Sequence, residues 1–322
     1  MKVYIAGAGG AVGRRLVPQL IAAGHEVLAT TRSDAKLDAL RRLGAHAAVV
    51  DGLDAAAVGR AVAEAEPEVI VHQMSALATM GSNPRRFDKD FALTNRLRTE
   101  GLDHLLAAAK ATGVRKVIAQ SYIGWNNHRD GGPVKTEADG LDPNPAAAQR
   151  QSLAAIEYLE RALLDCQGLE TVALRYGFLY GPGSSESVVG PIRKRQIPLV
   201  RNANGIWSWL HVDDAASAAV AALDRGDHAV YNIVDDDPAP VAKWLPYLAE
   251  VIGARPPRRL PLWLVRLVGG EVVVRLLTEI RGSSNARAKT ELGWQPRWRS
   301  WRDGFAHALT TGAMDSSRPG AA

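Results

Sequence analysis

The chain has 322 residues, of which 47% are hydrophobic and 23% charged, and its formal net charge is +5 at pH 7. This length suffices for one large domain or for a large domain with a smaller cap, and the apolar fraction is typical of a globular protein. The basic residues are mostly arginines scattered through an alanine-rich sequence, so no nucleic-acid partner is predicted. A single cysteine, Cys166, excludes an intramolecular disulfide and fits a reducing compartment, with a secreted protein that needs no disulfide as the alternative. Because the first apolar run is a strand and not a signal segment, a cytoplasmic location is predicted.

The start of the chain has the pattern of a dinucleotide-binding βαβ unit. An apolar strand, Val3-Tyr4-Ile5, leads through a glycine-rich turn into a helix and then into a second strand, Val27–Thr31. Within the turn, Gly7 permits a sharp change of direction, Gly10 lets the backbone approach a pyrophosphate, and Gly13 lets the helix pack against the strand. The N-terminus of that helix favours the negative charge of a pyrophosphate.

Strands and helices continue to alternate after this unit. This alternation predicts an α/β fold, a Rossmann-type doubly wound parallel sheet with helices on both faces. The predicted elements are strand Ala47–Val50, helix Ala55–Ala65, strand Val69–His72, helix Phe87–Thr112, strand Val114–Ser121, helix Ala147–Asp165 and strand Leu169–Arg175. We predict a dinucleotide-binding domain over 1–182, with returning strands from about 205–234, a smaller, partly helical substrate-binding lobe over 183–315, and a disordered tail at 316–322.

One late apolar stretch has the length of a membrane span. Leu260–Leu277 is interrupted by Arg266, Glu271 and Arg275, and charges at those places make a bilayer crossing costly. The stretch predicts one or two amphipathic helices, and no membrane partner is expected.

Several segments carry a family resemblance through their order and spacing. They are GAGGAVG at 7–13, VHQMSA at 71–76, KVIAQS at 116–121, LRYGFLYGPG at 174–183 and WLHVDDAASAAVAAL at 209–223, with Asn95 in the long helix. Together they resemble the extended short-chain dehydrogenase/reductase family, also called the NAD-dependent epimerase/dehydratase family. The resemblance implies a nicotinamide cofactor, a small-molecule substrate and, as one arrangement, a homodimer. It makes His211-Val212-Asp213-Asp214 a helix cap, so no metal site is predicted.

The end of the second strand indicates which nicotinamide cofactor is bound. A carboxylate at this point would hold the adenosine ribose hydroxyls and select NAD, but the residues here are Thr30, Thr31 and Arg32. Arg32 would pair with a 2′-phosphate, and Lys36 or Arg14 would add charge. NADP(H) is therefore predicted in preference to NAD(H), which remains the alternative if Arg32 is only solvated.

The resemblance assigns a larger set of residues to the cofactor site. From the glycine turn to the later strand ends, they are Gly7, Gly10, Ala11, Val12, Gly13, Arg32, Asp51, Leu53, Gln73, Met74, Ser75, Asn95 and Tyr176. In this assignment Asp51 and Leu53 border the adenine, and Tyr176 lies beside the nicotinamide.

The resemblance fails at the residues that carry proton transfer in redox members of the family. Those members place a tyrosine and a lysine four residues apart on the helix after the fifth strand, with a serine or threonine at the end of that strand. Here the serine is present as Ser121, but Gln149 takes the tyrosine position and Leu153 the lysine position. Glutamine donates a hydrogen bond but no proton, and leucine donates neither. The candidate catalytic residues are therefore Ser121, Tyr122 and Gln149.

Three functions are open to such a chain. We favour an NADPH-dependent carbonyl (ketone) reductase of a bulky hydrophobic molecule, because the nicotinamide supplies the hydride and orientation alone sustains a useful rate. A hydrophobic pocket is predicted from four tryptophans, Trp125, Trp207, Trp209 and Trp263, unless they are core residues. The second function is that of an epimerase, isomerase or cyclase without net redox change. The third is that of a non-catalytic NADP(H) sensor.

Overall fold

Seven short strands form one parallel sheet in the computed structural model, which describes residues 1–77 and 83–315. The strands are β1 (Lys2–Ala6), β2 (Glu26–Thr31), β3 (His46–Val49), β4 (Val69–His72), β5 (Lys116–Tyr122), β6 (Glu170–Tyr176) and β7 (Ala229–Ile233). Their order across the sheet is β3-β2-β1-β4-β5-β6-β7, and each neighbouring pair is parallel. The predicted doubly wound, Rossmann-type α/β sheet is confirmed.

Helices cover both faces of this sheet. They are α1 (Gly13–Ala22), α2 (Leu37–Arg42), α3 (Ala55–Ala65), α4 (Phe87–Arg98), α5 (Glu100–Thr112), α6 (Arg150–Leu164), α7 (Glu186–Arg193), α8 (Val212–Ala221), α9 (Val241–Val251), α10 (Leu262–Thr278) and α11 (Trp301–Asp315). Because side chains alternate along a strand, Val3 and Ile5 of β1 enter the core under α1, α2 and α8, whereas Tyr4 and Ala6 enter the opposite core under α3, α5 and α6. No helix in the described ranges is long and apolar enough to cross a membrane.

A third core, rich in aromatic residues, lies in the second half of the chain. Trp209, Trp244 and Trp301 are almost completely buried in it, among residues of α9, α10 and α11. Short paired strands frame this part of the chain; the pairs are Phe178–Tyr180 with Trp209–His211, Ile206–Trp207 with Ala239–Pro240, and Val134–Lys135 with Gly282–Ser283. Most of the tryptophans are therefore structural.

Two long helical segments are interrupted by a residue with non-helical backbone angles. The helix predicted over 87–112 is wrong in one respect, because Thr99, with φ −98° and ψ −85°, separates α4 from α5. The Thr99 hydroxyl donates to the Asn95 carbonyl oxygen at 3.1 Å, a local bond that competes with the regular helix. Helix α10 bends at Gly270, where φ is +74°, so the stretch at 260–277 does form two helical pieces. The tail at 316–322 lies outside the described residues.

Candidate active site

The glycine turn between β1 and α1 is constrained by backbone packing at Gly7 and Gly13, the first and last of its four glycines. Gly7 has φ +88°, and a Cβ there would lie 2.7 Å from the backbone of Gln73. A Cβ on Gly13 would lie 2.5 Å from the carbonyl oxygen of Ala8, so only glycine lets the start of α1 pack this closely on the turn after β1. At exposed Gly10, the nearest atom to a Cβ is the Gly7 carbonyl oxygen, at 3.5 Å. Packing within the protein does not require glycine at position 10, whereas an approaching pyrophosphate does.

Helix α1 begins at this turn without a side-chain cap. Val12 at the N-cap makes no side-chain hydrogen bond, and the first turn carries Arg14 and Arg15 but no acid. The first N–H groups of a helix have no partner within the helix, and the dipole makes this end positive. The turn with Gly10, Ala11 and Val12 therefore fits the diphosphate of a dinucleotide.

The end of β2 presents two cations. Thr31 is the last residue of the strand, and exposed Arg32 follows it. Lys36 reaches back from the next turn, so that its Nζ donates to the Gly9 carbonyl oxygen at 3.1 Å. A Cβ on Gly9 would lie 2.7 Å from Lys36 Cδ and 2.9 Å from Thr31 Oγ1. The structure thus brings Lys36, which the sequence offers only as an additional charge, onto the glycine turn itself.

The loops that follow β3 and β4 lie side by side. Asp51 Oδ1 accepts the N–H of Leu53 at 3.0 Å, and a Cβ on the intervening Gly52 would lie 2.1 Å from Met74 Sδ. Met74 is buried, and the next residue, Ser75, is exposed. The structure therefore places four of the predicted cofactor residues together. Asp51 and Leu53 lie beyond the carboxyl end of β3 and Met74 and Ser75 beyond that of β4, although β2 and β1 separate these two strands in the sheet.

Gln73 and Tyr176 form a buried pair at the ends of β4 and β6. Gln73 Nε2 donates to Tyr176 Oη at 3.1 Å, and Tyr176 Oη donates to the Ala215 carbonyl oxygen at 3.2 Å. Burial raises the pKa of the Tyr176 phenol, which the hydrogen bond from Gln73 only partly offsets. Gln73 Oε1 is buried and has no hydrogen-bond partner among the described residues. This amide oxygen, and not the phenol, is left to accept a hydrogen bond from a ligand.

Asn95 lies in the packing between α4 and α6. Its Nδ2 donates to Ser152 Oγ at 3.2 Å, and Ser152 Oγ donates to Asp88 Oδ1 at 2.6 Å. Asp88 also accepts the backbone N–H groups of Gln151 and Ser152, so it caps the start of α6. These contacts position α6; cofactor binding by Asn95 stays a prediction.

Ser121 at the end of β5 is hydrogen-bonded to a buried ion pair. Its Oγ donates to Glu160 Oε1 at 2.7 Å, and the same carboxylate accepts two bonds of 2.7 Å from Arg175. All three side chains are buried. Because the hydroxyl proton points to Glu160, the Ser121 oxygen is left to accept, and not to donate, a bond with a substrate. Sequence reasoning missed Glu160, although it stands seven residues after Leu153 and so on the same helix face.

Gln149 and Leu153, which the sequence analysis predicts at the family's tyrosine and lysine positions, are both buried. Gln149 ends a 3₁₀ turn, Ala147–Gln149, directly before α6, and it is 3% exposed. Its Nε2 has no hydrogen-bond partner in the part of the chain that the structure describes. Leu153 packs in the apolar core that contains Trp125 and Ile156. Gln149 therefore presents a buried amide nitrogen without a partner among the described residues, and Leu153 presents only hydrocarbon; that they replace a proton donor and its lysine stays a prediction.

Tyr122 places its phenol over a glycine. A Cβ on Gly124 would lie 2.1 Å from Tyr122 Oη, and the ring makes an edge contact with Phe178 at a centroid distance of 5.9 Å. Burial raises the pKa of the phenol, and the positive charge of buried Arg98 offsets only part of that rise. Burial also lowers the pKa of the Arg98 guanidinium, to about 10. Tyr122 therefore keeps its proton at neutral pH and is a poor acid.

Aromatic side chains border this end of β5. Phe178 stacks on Trp207 with a centroid distance of 3.7 Å, and Phe87 meets Trp125 edge-on at 5.4 Å. Trp263, by contrast, is 68% exposed and does not join them.

His211 caps the start of α8. His211 Nδ1 accepts the N–H of Asp213 at 3.1 Å at the start of α8. Within the described ranges, no three His, Cys, Asp or Glu side chains lie close enough to hold a metal ion.

Comparisons with known proteins agree with this geometry. The model of the NAD dependent epimerase/dehydratase family matches residues 3–234. A 3-diazoavenalumate denitrifying reductase from a Streptomyces species is 42% identical over 314 residues, which are 95% of this chain and 99% of that protein. A 2-alkyl-3-oxoalkanoate reductase from Stenotrophomonas maltophilia (strain K279a) is 28% identical over 267 residues, 79% of this chain and 76% of that protein.

The solved structures show the same fold. UDP-glucose 4-epimerase from Thermus thermophilus, in complex with NAD, superposes with a TM-score of 0.73 at 23% identity, and the match covers 96% of this chain and 98% of that one. The family match spans well over half of the chain, and the first reductase relative spans nearly all of it. The chain therefore belongs to the NAD-dependent epimerase/dehydratase family, as a nicotinamide-dependent reductase of the extended short-chain dehydrogenase/reductase type.

Proposed function

We propose that the protein is an NADPH-preferring reductase that delivers hydride to a bulky, aromatic small molecule without drawing a proton from a Tyr/Lys pair. The observation that carries the proposal is the burial of Gln149 and Leu153, neither of which is an acid. A reaction catalysed there must either need no proton from the protein or take it from another group. This requirement separates two classes of hydride acceptor.

An arenediazonium ion is an acceptor that needs no proton. The bound nicotinamide supplies a hydride with its electron pair. The aromatic carbon gains a C–H bond, its C–N bond breaks, and nitrogen leaves as N₂, so that charge and atoms balance without an acid. A ketone differs because its reduction forms an alkoxide, which must be protonated.

Diazo reduction is the first candidate reaction for this chain. It is supported by the relative named for removing nitrogen from 3-diazoavenalumate, which is 42% identical over nearly the whole chain. The aromatic wall of Phe178, Trp207, Phe87 and Trp125 beside the end of β5 suits an aromatic acceptor. The unpaired Nε2 of Gln149 donates a hydrogen bond to that acceptor and so fixes its orientation.

Ketone reduction is the second candidate, and one contact favours it. The Tyr122 phenol lies at the end of β5 over Gly124, and a 2-alkyl-3-oxoalkanoate reductase is 28% identical to this chain. In this case Tyr122 donates the proton in spite of its raised pKa. The reaction would then be slow and sensitive to the loss of that hydroxyl.

The preference for NADPH is supported by charge at the end of β2. Arg32 and the Nζ of Lys36, which lies on the glycine turn, give a 2′-phosphate two cationic partners. No carboxylate stands at the strand end to hold the ribose hydroxyls of NAD.

The test compares NADPH oxidation on an arenediazonium salt with that on a 2-alkyl-3-oxoalkanoate, together with the N₂ released. We expect one N₂ for each NADPH oxidised on the diazonium, and much slower turnover of the ketone. Gly10→Val, which blocks the turn without touching the acceptor site, is the control for direct reaction between NADPH and the diazonium. Tight NADPH binding with no turnover of either substrate would refute the reductase and leave an isomerase or a sensor.

A further inference from the structure

The first half of α10 exposes large apolar side chains. Trp263 is 68% exposed, Leu267 is 64% exposed and Val268 is 72% exposed, the highest values among the large hydrophobic residues of the described chain. Trp263 and Leu267 are four residues apart and therefore share one face of the helix. Contiguous apolar exposure of this kind marks a surface that binds something.

Basic residues surround this helix face. Residues 193–201 and 252–268 contain eight arginines and lysines and no acid; they are Arg193, Lys194, Arg195, Arg201, Arg255, Arg258, Arg259 and Arg266. The fold joins the two segments, because Arg195 Nε donates to the Pro256 carbonyl oxygen at 3.0 Å and Leu199 N donates to the Arg258 carbonyl oxygen at 2.9 Å. Side chains that are far apart in sequence thus form one basic surface.

The charge of this surface is not neutralised within the protein. Among the described side chains, none of the eight forms an ion pair, whereas Arg129 and Arg275 both bind Asp142. The whole chain carries only +5, so the residues outside the two segments are net negative. The positive potential of the molecule is concentrated around α10.

We propose that this basic and apolar surface docks on an anionic phospholipid bilayer. Trp263, Leu267 and Val268 lie at the boundary of the acyl chains, and the arginines lie at the level of the headgroup phosphates. Helix α10 rests on the membrane and does not span it. Sequence analysis predicted no membrane partner because charges interrupt the apolar stretch 260–277 and forbid a span; docking on the membrane surface depends on the fold, which gathers the arginines of the two segments.

Two other occupants fit the surface less well. A second copy of the chain, related by a two-fold axis, would place this basic surface against itself, and like charges would repel. A nucleic acid would satisfy the arginines but offers no apolar phase for Leu267 and Val268. An anionic bilayer matches both the charge and the exposed hydrocarbon.

The experiment measures sedimentation of the full chain with phosphatidylcholine vesicles, with and without phosphatidylglycerol, at low and at high salt. We expect binding only to vesicles that contain phosphatidylglycerol, and a strong decrease at high salt. Arg258→Ala/Arg259→Ala should weaken binding about 25-fold, at about fivefold for each arginine. Trp263→Ala/Leu267→Ala should weaken it about tenfold or more, because less apolar surface is buried.

Val49→Ala is the matched control, since Val49 is a 45% exposed apolar residue on β3. It should bind like the wild-type protein, and all variants should retain their circular dichroism spectrum and NADPH affinity. Equal binding to both vesicle types, no vesicle binding by a folded chain, tighter binding to duplex DNA than to vesicles, or a dimer that Trp263→Ala/Leu267→Ala dissociates would each overturn the proposal.

Discussion

Replacement of Glu160 by glutamine tests the buried network that holds Ser121. The carboxylate accepts three hydrogen bonds of 2.7 Å, one from Ser121 and two from Arg175, and it is the counter-ion of that arginine. Breaking a buried ion pair on one side costs about 3–5 kcal/mol, because the remaining charge stays buried. Glutamine keeps one acceptor oxygen, which recovers about 1 kcal/mol. Glu160→Gln should therefore lower the free energy of unfolding by about 3 kcal/mol.

Urea denaturation measures this loss as a lower midpoint with an unchanged slope. Glu157→Gln is the matched control, since Glu157 is exposed on the same helix, and it should change stability by about 0.5 kcal/mol or less. If Glu160→Gln unfolds at the same urea concentration as this control, the reasoning about the Ser121 network is refuted.

Three further predictions concern the cofactor site and the buried histidine. Gly10→Val should weaken NADPH binding, measured by fluorescence titration, while the unfolding temperature stays unchanged; a large drop in that temperature would mean that packing requires the glycine. Lys36→Glu should lower the ratio of kcat/KM for NADPH to that for NADH by about tenfold or more, and an unchanged ratio would remove Lys36 from phosphate recognition. Burial lowers the pKa of His72 from 6.5 to about 4. Between these two pH values the imidazole is protonated in the unfolded chain but neutral in the folded protein. The free energy of unfolding should fall by up to about 3 kcal/mol as pH drops from 6.5 to 4. Between pH 6.5 and 4, the urea midpoint of His72→Gln should fall less than that of the wild-type protein. Replacement of exposed His46 should leave the wild-type fall of the midpoint unchanged.

The fold was predictable because its signals are local. Helix Ala55–Ala65 and strand Val69–His72 have the bounds that their hydrophobic pattern predicts, and the glycine spacing marks the turn after β1. The break at Thr99 was not predictable from that pattern, because the apolar period continues through it while the threonine hydroxyl bonds to the backbone.

The candidate site was predictable only in part. Strand ends place Gly7, Arg32, Asp51 and Gln73 at one edge of the sheet, since parallel strands share their carboxyl ends, whereas Asn95 lies on α4. The bond of Ser121 to Glu160, however, joins residues 39 apart, and the basic surface around α10 joins two segments that are still farther apart. Such contacts depend on how helices and strands pack against each other, and the hydrophobic periodicity of the sequence does not specify that packing.

The reductase proposal rests on hydride transfer that needs no proton from a side chain. The most direct test is kcat/KM of Tyr122→Phe on an arenediazonium, because this variant removes the phenol proton and leaves the ring beside Phe178 in place. We predict a value within about threefold of the wild-type protein, since no acid acts in the reaction. A loss of about a hundredfold or more, the size of a general-acid contribution, would contradict that account and make Tyr122 the proton donor.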